Sequence, residues 1–151
     1  MLKIIKTDSD NPDFQTLVRL LDADLAVRHG DLHGYYAQFN KIDALKNVVV
    51  AYLDETAVGC GAFKKFDEES VEIKRMYVRP ENRGGGIAVE ILRELERWAA
   101  ESGFSFAVLE TGKKQPEAIR LYEKSGYESI PNYGQYEGLE NSVCMKKGLK
   151  R

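Results

Sequence analysis

Residues 71–88 read Val-Glu-Ile-Lys-Arg-Met-Tyr-Val-Arg-Pro-Glu-Asn-Arg-Gly-Gly-Gly-Ile-Ala, and the reading of this stretch decides the fold. Its first eight residues form a strand, Pro80 to Asn82 a short turn, and Gly84, Gly85 and Gly86 open a helix. Consecutive glycines let the backbone approach a ligand closely, at a cost of about 1 kcal/mol each in chain entropy. That cost at a helix start calls for a partner that comes close. The helix dipole places about half a positive charge at this end, and the guanidinium of Arg83 adds a full one. Strand, turn, arginine and glycine-rich helix start together make a pocket for a diphosphate.

The segment also excludes two familiar alternatives. A dinucleotide fingerprint needs Gly-x-Gly-x-x-Gly or Ala opening a βαβ unit, whereas Gly84-Gly85-Gly86-Ile87-Ala88-Val89 puts valine at the third signature position. A phosphate loop of the Gly-Lys-Ser/Thr type is absent.

Outward from the loop, Ile87, Ala88, Ile91, Leu92, Leu95, Trp98 and Ala99 recur on one face of the helix that follows, with Glu90, Arg93, Glu94, Glu96 and Arg97 on the other. This helix packs on a sheet and closes at Gly103. Upstream, residues 47–53 and 56–66 flank Asp54-Glu55 and form an antiparallel hairpin, and residues 2–6 form a first strand. Asn11-Pro12 starts a helix whose apolar face is Phe14, Leu17, Val18, Leu21 and Leu25 and which ends at Gly30. Residues 31–40 form a second short helix or loop. Downstream, residues 104–110 are a mostly apolar strand, Pro116 opens a helix through Lys124 with Gly126 as its left-handed stop, and residues 127–130 and 143–147 are final strands. The order is β-α-α-β-β-β-α-β-α-β-β, an α+β fold with helices on both faces of the sheet.

At 151 residues, with 43% hydrophobic and 30% charged residues, the chain is one ordinary globular domain, residues 1–151. The 22 basic and 24 acidic residues leave a net charge of −2, which gives no field for nucleic acid. Met1-Leu2-Lys3-Ile4 lacks the apolar core of a signal peptide, and no run is long enough to span a membrane. Cys60 and Cys144 are too few for a disulfide framework and predict reduced thiols on strands of a cytoplasmic protein. His29 and His33 are four apart, but with no carboxylate pattern beside them they predict solvated histidines, and no metal site is expected.

The order of elements, with Arg83-Gly84-Gly85-Gly86-Ile87-Ala88, resembles the GNAT superfamily of acyl-coenzyme A-dependent N-acetyltransferases. Arg83, Gly86 and Ala88 fit that family's cofactor signature of Arg or Gln, two residues, Gly, one residue, Gly or Ala. A second block, Gln115-Pro116-Glu117-Ala118-Ile119-Arg120-Leu121-Tyr122-Glu123-Lys124-Ser125-Gly126-Tyr127, is similar to the family's Asn-x-x-Ala-x-x-Leu-Tyr-x-x-x-Gly-Phe segment. Here Gln115 replaces asparagine and Tyr127 replaces phenylalanine. The resemblance spans nearly the whole chain, is specific over residues 71–127, and is weak over the first forty.

The resemblance implies a mixed, mostly antiparallel sheet of about six to seven strands and acetyl transfer from acetyl-CoA to an amine by direct attack in a ternary complex, and the expected acceptor is a primary amine of a small or amino-acid-like molecule. The amides of Arg83, Gly84, Gly85, Gly86, Ile87 and Ala88 would surround the pyrophosphate of coenzyme A. The backbone of Met76, Tyr77 and Val78 would pair with the pantetheine arm as with an added strand, and Gln115 would bond the same arm. An alkylammonium has a pKa of about 10.4, so only about one amine in a thousand is nucleophilic at neutral pH.

Glu72 stands where several family members carry a catalytic glutamate. It has two readings: a base or amine-binding carboxylate, or an ion pair with Lys74 or Arg75, since Glu72, Lys74 and Met76 would share one strand face. Tyr122 would place its hydroxyl near the departing sulfur, its alternative being a core aromatic beside Ala118 and Leu121. Lys74 and Arg75 are either solvated edge charges or receivers of an acidic group on the acceptor. The acceptor pocket falls to Tyr35, Tyr36, Phe39 and Asn40, with Tyr133 and Tyr136 in the late loop, where aromatics offer an apolar body and a hydroxyl.

A homodimer through a sheet edge or the C-terminal strands is frequent in the family and stays open here. Two other functions also stay open: a protein-modifying acetyltransferase, and a non-catalytic CoA-binding regulatory module.

Overall fold

The computed structural model describes residues 1–30 and 44–149. The helix or loop expected over residues 31–40, with Tyr35, Tyr36, Phe39 and Asn40, lies outside the described residues.

Seven strands form one sheet: β1 (Leu2–Thr7), β2 (Asn47–Leu53), β3 (Thr56–Lys65), β4 (Ser70–Val78), β5 (Phe106–Gly112), β6 (Glu128–Ile130) and β7 (Ser142–Gly148). Their order across the sheet is β1-β2-β3-β4-β5-β7-β6. Every neighbouring pair is antiparallel except β4 and β5. Three helices are described: α1 (Pro12–His29), α2 (Ile87–Glu101) and α3 (Pro116–Lys124). The fold is α+β, a mixed and mostly antiparallel sheet with helices on both faces, as the resemblance implies.

The helix ends follow the local chemistry. Asn11 Oδ1 accepts from the amides of Asp13 (2.9 Å) and Phe14 (3.0 Å), with Pro12 at the first helical position. Gly126, at φ 99°, follows α3 in the left-handed region where a side chain would strain. α2 buries Ile91, Leu92, Leu95 and Ala99 against Val49, Val58, Phe63, Val71, Ile73 and Leu109. α1 buries Phe14, Leu17, Val18 and Leu21 against Val48, Val50, Ala62 and Tyr77 on the opposite face. Each helix removes an apolar stripe from water, at about 25 cal/mol per Å².

Two irregularities shape the site. In the first, Cys60 pairs with Tyr77 and Ala62 with Lys74, so Arg75 and Met76 together stand opposite Gly61. This is a β-bulge, and Arg75 carries its positive φ of 61°. The bulge breaks the alternation assumed from sequence. Glu72 and Lys74 do share a face, but Met76 turns to the α2 side and packs on that core. Arg75 turns to α1, where its Nη1 donates to Asp22 Oδ1 at 2.9 Å. Lys74 and Arg75 are 8% and 7% exposed, so they are buried charges and not solvated edge residues.

In the second irregularity, β4 and β5 pair only from Ser70↔Phe106 to Glu72↔Val108. Beyond that point the strands separate, and the β5-facing edge of β4 through Val78 has no ladder partner in β5.

Candidate active site

The α2 start contains a row of amide donors. Gly84 and Gly86 have φ of 89° and 85°, and a Cβ built at either position meets nothing within 4 Å. Conformation, not crowding, therefore demands glycine here. No side chain caps the helix, and the first amide bonded back is that of Glu90, to Gly86 O at 3.1 Å. The amides of Gly84, Gly85, Gly86, Ile87, Ala88 and Val89 have no acceptor among the described residues. Such a row at a helix N-terminus has the geometry and partial positive charge that suit an anion. Arg83 folds back towards β4: its Nε donates to Val78 O at 2.8 Å, and its guanidinium lies 5.5 Å from the Tyr77 ring centroid.

From this corner a cleft of about 210 Å³ runs along the end of β4, between α1 and α3. Met76, Tyr77, Val78, Arg83, Ala88, Gln115 and Tyr122 all line it. It therefore gathers predicted residues from three elements and the loops beside them. Gln115 Oε1 accepts from the amide of Gly112 (3.2 Å) and the hydroxyl of Thr111 (3.4 Å), so its carbonyl is engaged in the β5–α3 turn and its amide nitrogen is the remaining donor. Tyr122 is 6% exposed, its ring makes an edge contact with Tyr127 at 5.8 Å, and its hydroxyl has no hydrogen-bond partner among the described residues. Burial, helped by the charge of Glu110, pushes its pKa up, so the hydroxyl keeps its proton and serves as a donor.

A second, polar cluster lies on the other side of the strand split. Val71 and Ile73 on β4, Ala107 and Leu109 on β5, and Met145 on β7 face α2. Alternation then sends Glu72, Lys74, Glu110, Ser142 and Cys144 to the opposite face. α1 covers β2, β3 and β4 there, and the β6–β7 loop covers the rest with Tyr133 and Tyr136. The Tyr133 hydroxyl donates to Glu72 Oε2 at 2.8 Å, and Lys74 Nζ lies 3.8 Å from Glu72 Oε1. Tyr133 also packs edge-on against Phe66 at 4.8 Å and Tyr136 at 5.7 Å. Burial lowers the Lys74 pKa, with Glu72 opposing that shift. Burial raises the Tyr133 pKa, and the adjacent Glu72 raises it further.

The structure thus assembles Glu72, Lys74, Tyr133 and Tyr136, which are scattered in sequence, and keeps them apart from the cleft that holds Tyr122. Sequence reasoning missed Glu110 and Phe66. Residue 110 looked like the end of an apolar strand, but β5 continues to Gly112. The usable signal was a lone carboxylate in phase with Val108. Glu110 is pushed up to about 7, first by burial, with Glu72 adding to it and Ser142 and Lys74 opposing.

The loops beside the sheet carry one more set of contacts at the cleft rim. Arg28 on α1 pairs with Asp24 at 3.1 Å and with Glu117 on α3, and donates to Lys114 O at 3.3 Å. Among the described residues there is no cluster of side chains fit to hold a metal ion, and no helix long and apolar enough to cross a membrane.

Known proteins share this fold. The sequence profile of the Acetyltransferase (GNAT) family matches residues 14–127. The IAA acetyltransferase of Azospirillum brasilense is 34% identical over 148 residues, covering 93% of this chain and 95% of that protein. The crystal structure of a Klebsiella pneumoniae protein described as an acyl-CoA N-acyltransferase superposes with a TM-score of 0.84 at 30% identity, over 99% of both chains. A GNAT acetyltransferase from Elizabethkingia anophelis, solved with acetyl-CoA bound, shares the fold with a TM-score of 0.71 at 18% identity, over 98% of both chains. The glycine-opened helix, the split between β4 and β5, and these matches make the chain a member of the GNAT acetyltransferase family, an acyltransferase by descent and by architecture.

Proposed function

We propose that this chain moves an acetyl group from acetyl-CoA to a primary amine on a small molecule or amino-acid-like acceptor, by direct attack in a ternary complex. One observation carries the reading: the amides of Gly84 to Val89, without acceptors among the described residues, stand at the mouth of a cleft that runs along the end of β4 to Tyr122. A diphosphate on the amides, beside Arg83, would lay its attached arm along Met76, Tyr77 and Val78, whose main-chain groups offer strand-like pairing. The amide nitrogen of Gln115 is placed to bond the same arm. Acetyl-CoA supplies the activated thioester.

The chain's own tasks are to orient that ester, to neutralise the amine and to meet charge on sulfur. Tyr122, protonated and without another partner, donates to the sulfur as the C–S bond breaks. On the far side of the split, Glu72, Lys74, Tyr133 and Tyr136 form the acceptor wall, with carboxylate to bind an ammonium and aromatic surface to hold its body. Tyr35, Tyr36, Phe39 and Asn40, outside the described residues, stay a second candidate group for acceptor recognition. A cytoplasmic site suits the two free, buried cysteines. Pairing of C-terminal strands into a homodimer belongs to the same reading, with the free edge on β6.

The test is a panel of amino acids, polyamines and aralkylamines assayed for thiol release from acetyl-CoA. Turnover with one class identifies the acceptor. Tight acetyl-CoA binding with no turnover on any amine, peptides included, would favour a regulatory CoA-binding module instead.

A further inference from the structure

We propose that Glu110 on β5 removes the proton from the acceptor's ammonium, while Glu72 stays the ion-pairing carboxylate of the acceptor wall beside it. The inference rests on the acetyl-transfer reading and assigns the base within it.

Position is the first argument. Glu72↔Val108 is the last paired step between β4 and β5, and Glu110 is the next residue of β5 on that face. It therefore stands where the strands have just parted, beside the gap through which an acceptor must meet the thioester. Its charge reaches Tyr122 of the cofactor cleft on one side and Lys74 and Tyr136 of the acceptor wall on the other. It is less deeply buried than Glu72, which is 4% exposed.

Occupancy is the second argument. Both oxygens of Glu72 are engaged, Oε2 by the Tyr133 hydroxyl and Oε1 by the Lys74 ammonium. With a donor on one oxygen and a cation beside the other, Glu72 already has partners for both of its acceptor atoms, whereas Glu110 is bonded by Ser142. The groups facing Glu110 are Glu72 and Lys74 from β4, Ser142 and Cys144 from β7, Tyr136 from the late loop and Tyr122 from α3. Of these, Ser142 hydrogen-bonds its carboxylate. Burial and the neighbouring Glu72 charge bring Glu110 to about 7, the range in which a base is both unprotonated and effective at neutral pH.

The step balances as follows. The Glu110 carboxylate takes one proton from the ammonium and becomes a carboxylic acid. The freed nitrogen pair forms the N–C bond at the thioester carbonyl. As the C–S bond breaks, its electron pair leaves with sulfur, and Tyr122 gives the thiolate a proton that the new amide nitrogen returns. Glu110 then releases its proton to solvent, so each turnover yields amide, thiol and one proton.

The experiment uses the best acceptor from the amine panel and follows kcat/KM from about pH 6 to about pH 9 for wild type, Glu110→Gln, Glu110→Asp and Glu72→Gln. Wild type should bend near the Glu110 pKa. Glu110→Gln should lose about a hundredfold or more at neutral pH and follow only the fraction of free amine, and the loss should shrink with a less basic acceptor. Glu110→Asp, which keeps the charge, should keep the bend at a reduced rate. Glu72→Gln should keep a bend and move it to lower pH, because a repelling charge has gone. If Glu110→Gln keeps the wild-type rate and bend, or Glu72→Gln alone abolishes the bend, the assignment is wrong while acetyl transfer stands. If wild type itself acetylates no amine, the underlying reading fails instead.

Discussion

Tyr122 reaches the cleft from α3 with its ring fixed against Tyr127 and its hydroxyl without a hydrogen-bond partner among the described residues. Removing that oxygen leaves the packing intact, so Tyr122→Phe should lower kcat by about a hundredfold with little change in acetyl-CoA affinity. Stopped-flow thiol release and calorimetry measure the two separately, and equal turnover would show the residue to be only structural. Gly61 makes the opposite kind of prediction. A Cβ there would sit 2.7 Å from Met76 Sδ and 2.8 Å from Leu95 Cδ1, inside the core between β3 and α2. Gly61→Ala should cost about 1–3 kcal/mol by overpacking, read from urea unfolding. Tyr122 was singled out because the segment around it resembles the family's, not by any local pattern. The need for glycine at 61 was not legible, because it comes from the bulge on the neighbouring strand.

Among the elements, the N-terminus of α2 joins stability to binding. Gly86 sits at φ 85° in open space, so Gly86→Ala meets no neighbour but must bear about 1–2 kcal/mol of left-handed strain or turn the loop. Either outcome disturbs the amide row, and acetyl-CoA affinity should fall about tenfold for each 1.4 kcal/mol transferred to binding. Calorimetric titration checks this, and an unchanged Kd would remove the loop from the cofactor site. The start of α1 tests the elements without touching the site: Asn11→Ala removes the acceptor of two amides and should cost about 1 kcal/mol. Helix starts and stops were readable because caps are local chemistry. The β4 bulge was not, since it takes a register shift against β3 to place Arg75 under α1 and Met76 under α2.

For the molecule as a whole, a ligand that binds only the folded state raises its stability by mass action. Acetyl-CoA at about one hundred times its Kd should add about 2.7 kcal/mol and raise Tm, and an unchanged melt would remove the central assignment. Glu110 also links stability to pH. Its folded pKa lies above the ordinary carboxylate value of 4.5, so the folded state holds its proton more tightly than the unfolded chain does. That contribution is complete below the unfolded pKa and is lost as pH rises through about 7. Glu110→Gln should therefore stabilise the protein at alkaline pH relative to wild type, by on the order of 2–3 kcal/mol, and much less under acid. Denaturant melts across pH measure the difference. The sequence by itself determined the element order and the helix limits, because periodicity, caps and turn glycines act over a few residues, and it placed Arg83 and Tyr122 in two segments that resemble the family's. Only the tertiary structure decided which charges share a face, where β4 and β5 part, and that Glu110 lies just past their last paired step. Those features depend on strand register and on contacts between distant segments, which no local pattern encodes.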